Sequence, residues 1–232
     1  MEASVTGLAL AAARSRPVAA AEARVMGVPA PLASLFPDGG IRRGATVAVE
    51  SRFGGGSLAL VLAASVTSDG GWVAAVGLPS LGLAAAAELG VDLRRLALVP
   101  VAGDQWAMVA AALVDGFDLL MVQPPGRVRA VDARRLMARV RERGSVLLVV
   151  DGVWPEPADL RLSAGRVEWE GLGAGHGRLT GRQVEVEVAG RRVRGRDRRR
   201  VVWLPAPGSG RLEEAASVEP SLEVVAPVGA AG

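Results

Sequence analysis

G-A-T-V-A-V-E-S-R-F-G-G-G-S-L-A-L-V-L-A-A-S, residues Gly44 to Ser65, is the stretch that decides the fold. It opens on a β-branched run (Thr46, Val47, Val49) and passes Arg52 into a glycine loop, Gly54, Gly55 and Gly56. A helix follows, opening near Ser57. Strand, glycine loop and helix in that order is the arrangement in which a chain cradles a phosphate. Glycines let backbone N–H groups converge, and the helix N-terminus favours an anion. The phosphate-loop pattern G-x-x-x-x-G-K-[ST] also requires a lysine. Depending on register, Gly55, Gly56 or Ser57 stands in its place, and the chain has no lysine anywhere. The frame is that of a nucleotide loop without its main charge.

Downstream of this unit the chain keeps a regular beat. Strand 46–50 and helix 57–68 are followed by strand 72–76, helix 81–89 stopping at Gly90, and strand 96–100. Helix 104–115, with Asp104 as N-cap, leads to strand 118–122. Helix 129–143 then ends at Gly144, before the apolar run Ser145 to Val150. Apolar strands interleaved with helices predict a parallel sheet buried on both faces. After Asp151 the helices stop. Short strands at Leu160 to Leu162, Val167 to Trp169, Val184 to Val188 and Val201 to Leu204 predict an antiparallel extension.

Three segments are expected. Residues 1–40 are Ala- and Pro-rich, with a helix over Ser4 to Arg14 and apolar patches at Val25-Met26 and Leu32 to Phe36 that lie on the core. Residues 41–205 form that core, and 206–232 form a flexible acidic tail. The 232 residues, half of them hydrophobic, suffice for one good core. No uncharged run reaches the length of a membrane span, and Glu2 stands where a signal peptide carries basic residues. With no cysteine there is no disulfide and no thiolate chemistry. The cytoplasm is the expected compartment. The net charge is only +3, but every lysine-or-arginine position is arginine, a usage that a GC-rich genome also produces.

Several phrases resemble the RecA superfamily: G-G-I-R-R-G-A-T-V-A-V (39–49) before the loop, E-L-G-V-D-L-R-R-L-A-L-V-P (88–100), F-D-L-L-M-V-Q (117–123), and A-D-L-R-L followed by G-R-Q-V-E-V-E-V. More narrowly, L-F-P-D-G-G-I-R-R-G-A-T-V-A-V (35–49) and V-G-L-P-S-L-G-L-A-A-A-A-E-L-G-V (76–91) are similar to the ImuA group, in particular its actinobacterial form. The resemblance covers roughly residues 35–205. It implies an α/β, RecA-like fold: a mostly parallel central sheet, flanking helices and an antiparallel C-terminal extension. It also implies a damage-inducible accessory protein of error-prone lesion bypass, bridging an ImuB-type Y-family polymerase homologue and an error-prone replicative-type polymerase. The expected setting is cytoplasmic, moving to the nucleoid on DNA damage.

A RecA-like ATPase uses a loop lysine, an aspartate for magnesium and a glutamate that polarises water. Here the lysine is missing, Gln123 stands at the metal-binding strand, and Val76 to Ser80 hold no carboxylate. Each lost charged hydrogen bond costs about 1.5–3 kcal/mol, and phosphoryl transfer depends almost wholly on positioning and charge. No catalysis, metal or cofactor is expected, although the glycine loop and Arg52 could still hold an anion. His176, alone in G-A-G-H-G-R, reads as a loop residue, and Asp151 as a turn cap.

Arginines carry the remaining signal. Helix 129–143 sets Val131, Leu136, Met137 and Val140 to one side and crowds Arg134, Arg135, Arg139, Arg141 and Arg143 over the rest. Arg191, Arg192, Arg194, Arg196, Arg198, Arg199 and Arg200 form a denser strip, placed on a hairpin turning near Gly195 to Asp197. Such a strip attracts a phosphate backbone or an acidic partner, though only Trp203 lies near it to stack on a base. The rivals to an adaptor are a cell-division inhibitor of the same stripped architecture and an ATP-binding recombinase-like repair protein.

Overall fold

The computed structural model describes residues 24–50, 55–100, 105–172, 177–191, 193 and 199–215. A small antiparallel pair, β1 (Val25–Gly27) with β2 (Gly40–Arg42), encloses the short helix α1 (Ala30–Ala33). The main sheet then begins at β3 (Thr46–Glu50), followed by helix α2 (Gly55–Ser68) and β4 (Val73–Val76). Next come α3 (Leu83–Glu88), a 3-10 turn at Leu93–Arg95 and β5 (Leu96–Val99). Helix α4 (Trp106–Leu113), β6 (Leu119–Val122), helix α5 (Ala130–Arg143) and β7 (Val146–Val150) complete the alternating part. The last strands are β8 (Leu160–Leu172), β9 (Gly177–Gly190), β10 (Arg199–Trp203) and β11 (Glu213–Glu214).

The nine-stranded sheet has the order β11-β10-β9-β8-β3-β7-β6-β4-β5. From β8 to β5 every neighbouring pair is parallel, and from β8 to β11 every pair is antiparallel. The expected mixed α/β sheet, parallel first and antiparallel at its C-terminal side, is therefore present. Chirality explains where the helices lie. A right-handed crossover puts helices on one face while the chain moves from β3 out to β5, and on the other while it returns. Accordingly α2 and α3 pack on the face carrying Val47, Met121 and Leu148. Helices α4 and α5 cover the opposite face, with Leu120, Val122 and Leu147.

Each helix shows why it sits where it does. Over the stretch Leu58 to Ala64, helix α2 is apolar on every side and buried, because the β1–β2 segment covers its outer side; Met26, Leu32, Leu35 and Phe36 join the same core. Helix α5 buries Ala133, Leu136, Met137 and Val140, an i, i+3, i+4, i+7 stripe. Val131, expected on that stripe, is exposed, and Ala133 takes its place. Gly144 ends the helix with φ 67°, and a Cβ there would meet nothing closer than Arg43 Cβ at 3.9 Å. Gly144→Ala is thus a purely backbone cost of about 1–2 kcal/mol, expected as a lower urea midpoint with unchanged slope.

Three expectations are corrected. Strands 160–162 and 167–169 are one strand, β8, because a register shift between Ala164 and Val167 bends it without ending its pairing with β9. Helix 104–115 is shorter: Gln105 sits at its N-cap and Val114 closes it, with Asp104 outside the described residues. The chain also stays folded past 205. Ala206 and Ala215 are buried and β11 pairs with β10, since Glu213 and Glu214 find partners in Ser209 and Arg200. The helix expected at Ser4 to Arg14, the loop around His176 and the tail 216–232 lie outside the described residues. Among those described, no helix is long and apolar enough to cross a membrane.

Candidate functional site

In an open sheet, ligands sit beyond the carboxyl ends of the parallel strands, where neighbouring crossovers leave on opposite faces. Here that rim carries Glu50 at the end of β3, Gly77 after β4, Gln123 after β6 and Asp151 after β7. Arg52 and Gly54 fall outside the described residues, whereas Gly55 and Gly56 open α2 and Ser57 lies in its first turn.

The first turn of α2 has a partner that the local sequence does not reveal. Arg182 of β9 donates from Nη2 to Ser57 Oγ at 2.7 Å and from Nε to the carbonyl of Leu204. Its guanidinium also lies 5.3 Å from the Trp169 ring centroid. Burial lowers its pKa from the ordinary value, yet arginine starts so far above neutrality that the charge remains. A cation at a helix N-terminus opposes the helix dipole; the serine hydroxyl and the Leu204 carbonyl offset this. The signal was present in strand parity: Arg182 shares the inward set of Val184, Val186 and Val188.

Gln123 is half-buried, and its backbone N–H donates to the Val76 carbonyl at 3.0 Å. Gly77 follows with φ 70°, and a Cβ on it would stand 2.7 Å from the Gln123 carbonyl oxygen. The two strand ends are therefore pressed together, with no carboxylate between them among the described residues. Glu50 is ion-paired with Arg161. Asp151 adopts φ 56°, the left-handed region that aspartate tolerates better than most residues, where the chain turns out of β7. Among the described residues no group of three or more His, Cys, Asp or Glu side chains could hold a metal ion.

The arginine strip divides. Strands β9 and β10 pair antiparallel, with Arg199 opposite Glu187, but the turn expected near Gly195 to Asp197 and Arg192, Arg194, Arg196 and Arg198 lie outside the described residues. Arg199 pairs with Glu185 and Glu187 at 3.4 and 3.2 Å, and Arg200 with Glu214. Arg191 makes no ion pair among the described residues. On α5, Arg134 pairs with Glu156, and Arg139 and Arg143 share Asp115. The tryptophans act in packing: Trp106 and Trp154 meet edge-on at 6.2 Å, as do Trp72 and Phe117 at 6.4 Å.

Residues 34–156, just over half of the chain and the whole alternating β/α part of this site, match the model of the MT3502 N-terminal domain. The chain belongs to the MT3502 N-terminal domain family. It is similar to the uncharacterized protein Rv3395c of Mycobacterium tuberculosis, with 40% identity over 185 residues, 76% of this chain and 89% of that protein. The MT3502 match ends at residue 156, so the strand bearing Arg182 is supplied by the part of the chain that follows the matched domain.

Proposed function

We propose that this MT3502-family protein is a non-catalytic, RecA-like accessory protein of damage-induced, error-prone translesion synthesis. In this reading it bridges an ImuB-type Y-family polymerase homologue and an error-prone replicative-type polymerase at damaged DNA. The observation that carries the non-catalytic part is the rim between β4 and β6, where Gln123 and Gly77 close on each other and, among the described residues, no group of carboxylates is placed for a metal. A second support is Arg182, which binds Ser57 in the first turn of α2 and leaves that helix start with an internal partner. The RecA-like assignment draws on the sequence resemblance and on a parallel sheet extended by antiparallel strands. A rigid core of this kind suits an adaptor, because fold alone fixes no chemistry and surfaces can be recruited for contact.

Two measurements test the reading. Purified protein is expected to release no phosphate from ATP above the level of a mock purification; turnover that persists through successive purification steps would overturn the non-catalytic assignment. Affinity capture from DNA-damaged cells is expected to retain both polymerase subunits, and capture of the tubulin-like division protein in their place would favour the division-inhibitor reading.

A further inference from the structure

Two adjoining cavities open at the end of the sheet opposite the α2 loop. One, of about 460 Å³, lies between the β2–β3 turn, the end of α5, the start of β8 and Arg191. The other, of about 480 Å³, shares Asp38, Arg42 and Arg43 with it and adds Arg24. Segments distant in sequence thus contribute Arg24, Arg42, Arg43, Arg141 and Arg191 to one groove, against Asp38 and Asp159. The walls are fixed: a Cβ on Gly44 would lie 3.1 Å from the Arg141 Cα, so the turn rests on the helix backbone.

The charges in this groove are unequally committed. Arg43 is spent on buried Asp118 and Arg42 on Asp38. Asp159 accepts the Thr46 N–H at 2.9 Å. Arg24, Arg141 and Arg191 are all exposed and make no ion pair among the described residues. Cations with no ion pair among the described residues thus reach the groove from separate segments, whereas its carboxylates already have partners.

We infer that this groove binds the sugar–phosphate backbone of single-stranded nucleic acid without reading its bases. Among the described residues no aromatic ring lines either cavity, so these offer no platform for stacking and none of the ring anchors that dominate protein docking sites. What it offers is spaced guanidinium charge, matched to a polymer bearing one anion per unit. A single strand, whose backbone bends freely, can follow three cations spaced around a recess, which is why the inference is confined to single strands. The inference rests on the adaptor reading for its setting at damaged DNA alone.

The experiment is fluorescence anisotropy of a labelled oligothymidylate of about 20 nucleotides with the full-length protein, titrated between about 50 and 200 mM salt. Three phosphate contacts predict a log–log salt slope near −2, at about −0.7 per contact. The double variant Arg141→Gln/Arg191→Gln is expected to bind some tens-fold more weakly at about 50 mM salt and to flatten the slope by about 1.4. Arg199→Gln/Arg200→Gln, removing charges that do not line the groove and are paired to glutamates, is expected to bind within about threefold of wild type. Both pairs of substitutions are at solvent-accessible positions, and unchanged thermal melts will show that the variants fold.

Wild-type affinity in Arg141→Gln/Arg191→Gln, or no salt-dependent binding at all, would overturn the inference. So would displacement of the oligonucleotide by a glutamate-rich peptide at matched charge, which would assign the groove to an acidic protein. Loss of polymerase capture with oligonucleotide binding intact would fault the adaptor reading and leave the groove standing. Intact capture with no oligonucleotide binding would do the reverse.

Discussion

Asp118→Ala is expected to lower stability by about 3–5 kcal/mol, the cost of leaving one partner of a buried ion pair alone. Asp118 is 1% exposed and Arg43 10%. Oδ1 accepts from Arg43 Nη1 at 2.9 Å, while Oδ2 accepts from the Trp72 backbone N–H at 3.0 Å. The backbone of the same residue bonds to Trp72 on one side and to Val146 on the other. The carboxylate therefore ties the entry of β4 to the turn between β2 and β3, while the backbone of the same residue holds the entry of β7. Removing it strands the Arg43 guanidinium, whose Nε is already buried without a partner. Urea denaturation should show a lower midpoint at constant slope. Asp118→Asn, which keeps an acceptor for Trp72 but not the charge, should fall between alanine and wild type. Arg43→Met in the alanine background should recover part of the loss, because the unpaired charge goes with it. A loss below about 1 kcal/mol would mean that the pair is solvent-screened like a surface bridge.

Arg182→Ala is expected to cost about 2–3 kcal/mol, within the range for hydrogen bonds to a charged donor. It leaves the Leu204 carbonyl and Ser57 Oγ without the guanidinium that joins them, and removes the cation from the Trp169 ring. Because these bonds link α2 to the antiparallel strands, the loss should be visible as faster proteolysis between β9 and β11 as well as in the urea midpoint. Arg182→Lys keeps the charge but not the planar fork, and is expected to retain less than half of the stabilisation. Wild-type stability in the alanine variant would show that water replaces the guanidinium at no cost.

The proposed single-strand groove gives the Asp118–Arg43 pair a second consequence. Arg43 lines the groove but spends its charge inward, so the oligonucleotide contacts fall to Arg24, Arg141 and Arg191. The arginines of the strip that the structure describes beyond Arg191 are likewise paired, with Glu185, Glu187 and Glu214. Arginine density along the chain is therefore a poor guide to available charge; each residue's neighbours across the sheet decide it.

The amino-acid sequence by itself determined the local elements. The alternation of apolar strands with helices from Thr46 to Val150 is written in residues a few positions apart. The same holds for the apolar run Leu58 to Ala64 of α2, the glycine stop at Gly144 and the V-E-V-E-V parity of β9. Periods of two and about 3.6 residues are properties of the backbone, so they can be read before any contact is known. Only the tertiary structure decided the strand order, the continuity of β8 across its bulge, the folding of residues 206–215 and the reach of Arg182 to Ser57. It alone also assembled Arg24, Arg141 and Arg191 into one groove. These depend on pairings between residues far apart in the chain: Arg182 and Ser57 are 125 positions apart, Arg43 and Asp118 75. Local periodicity assigns a side chain to a face; which neighbour it meets there is fixed only when the sheet is assembled.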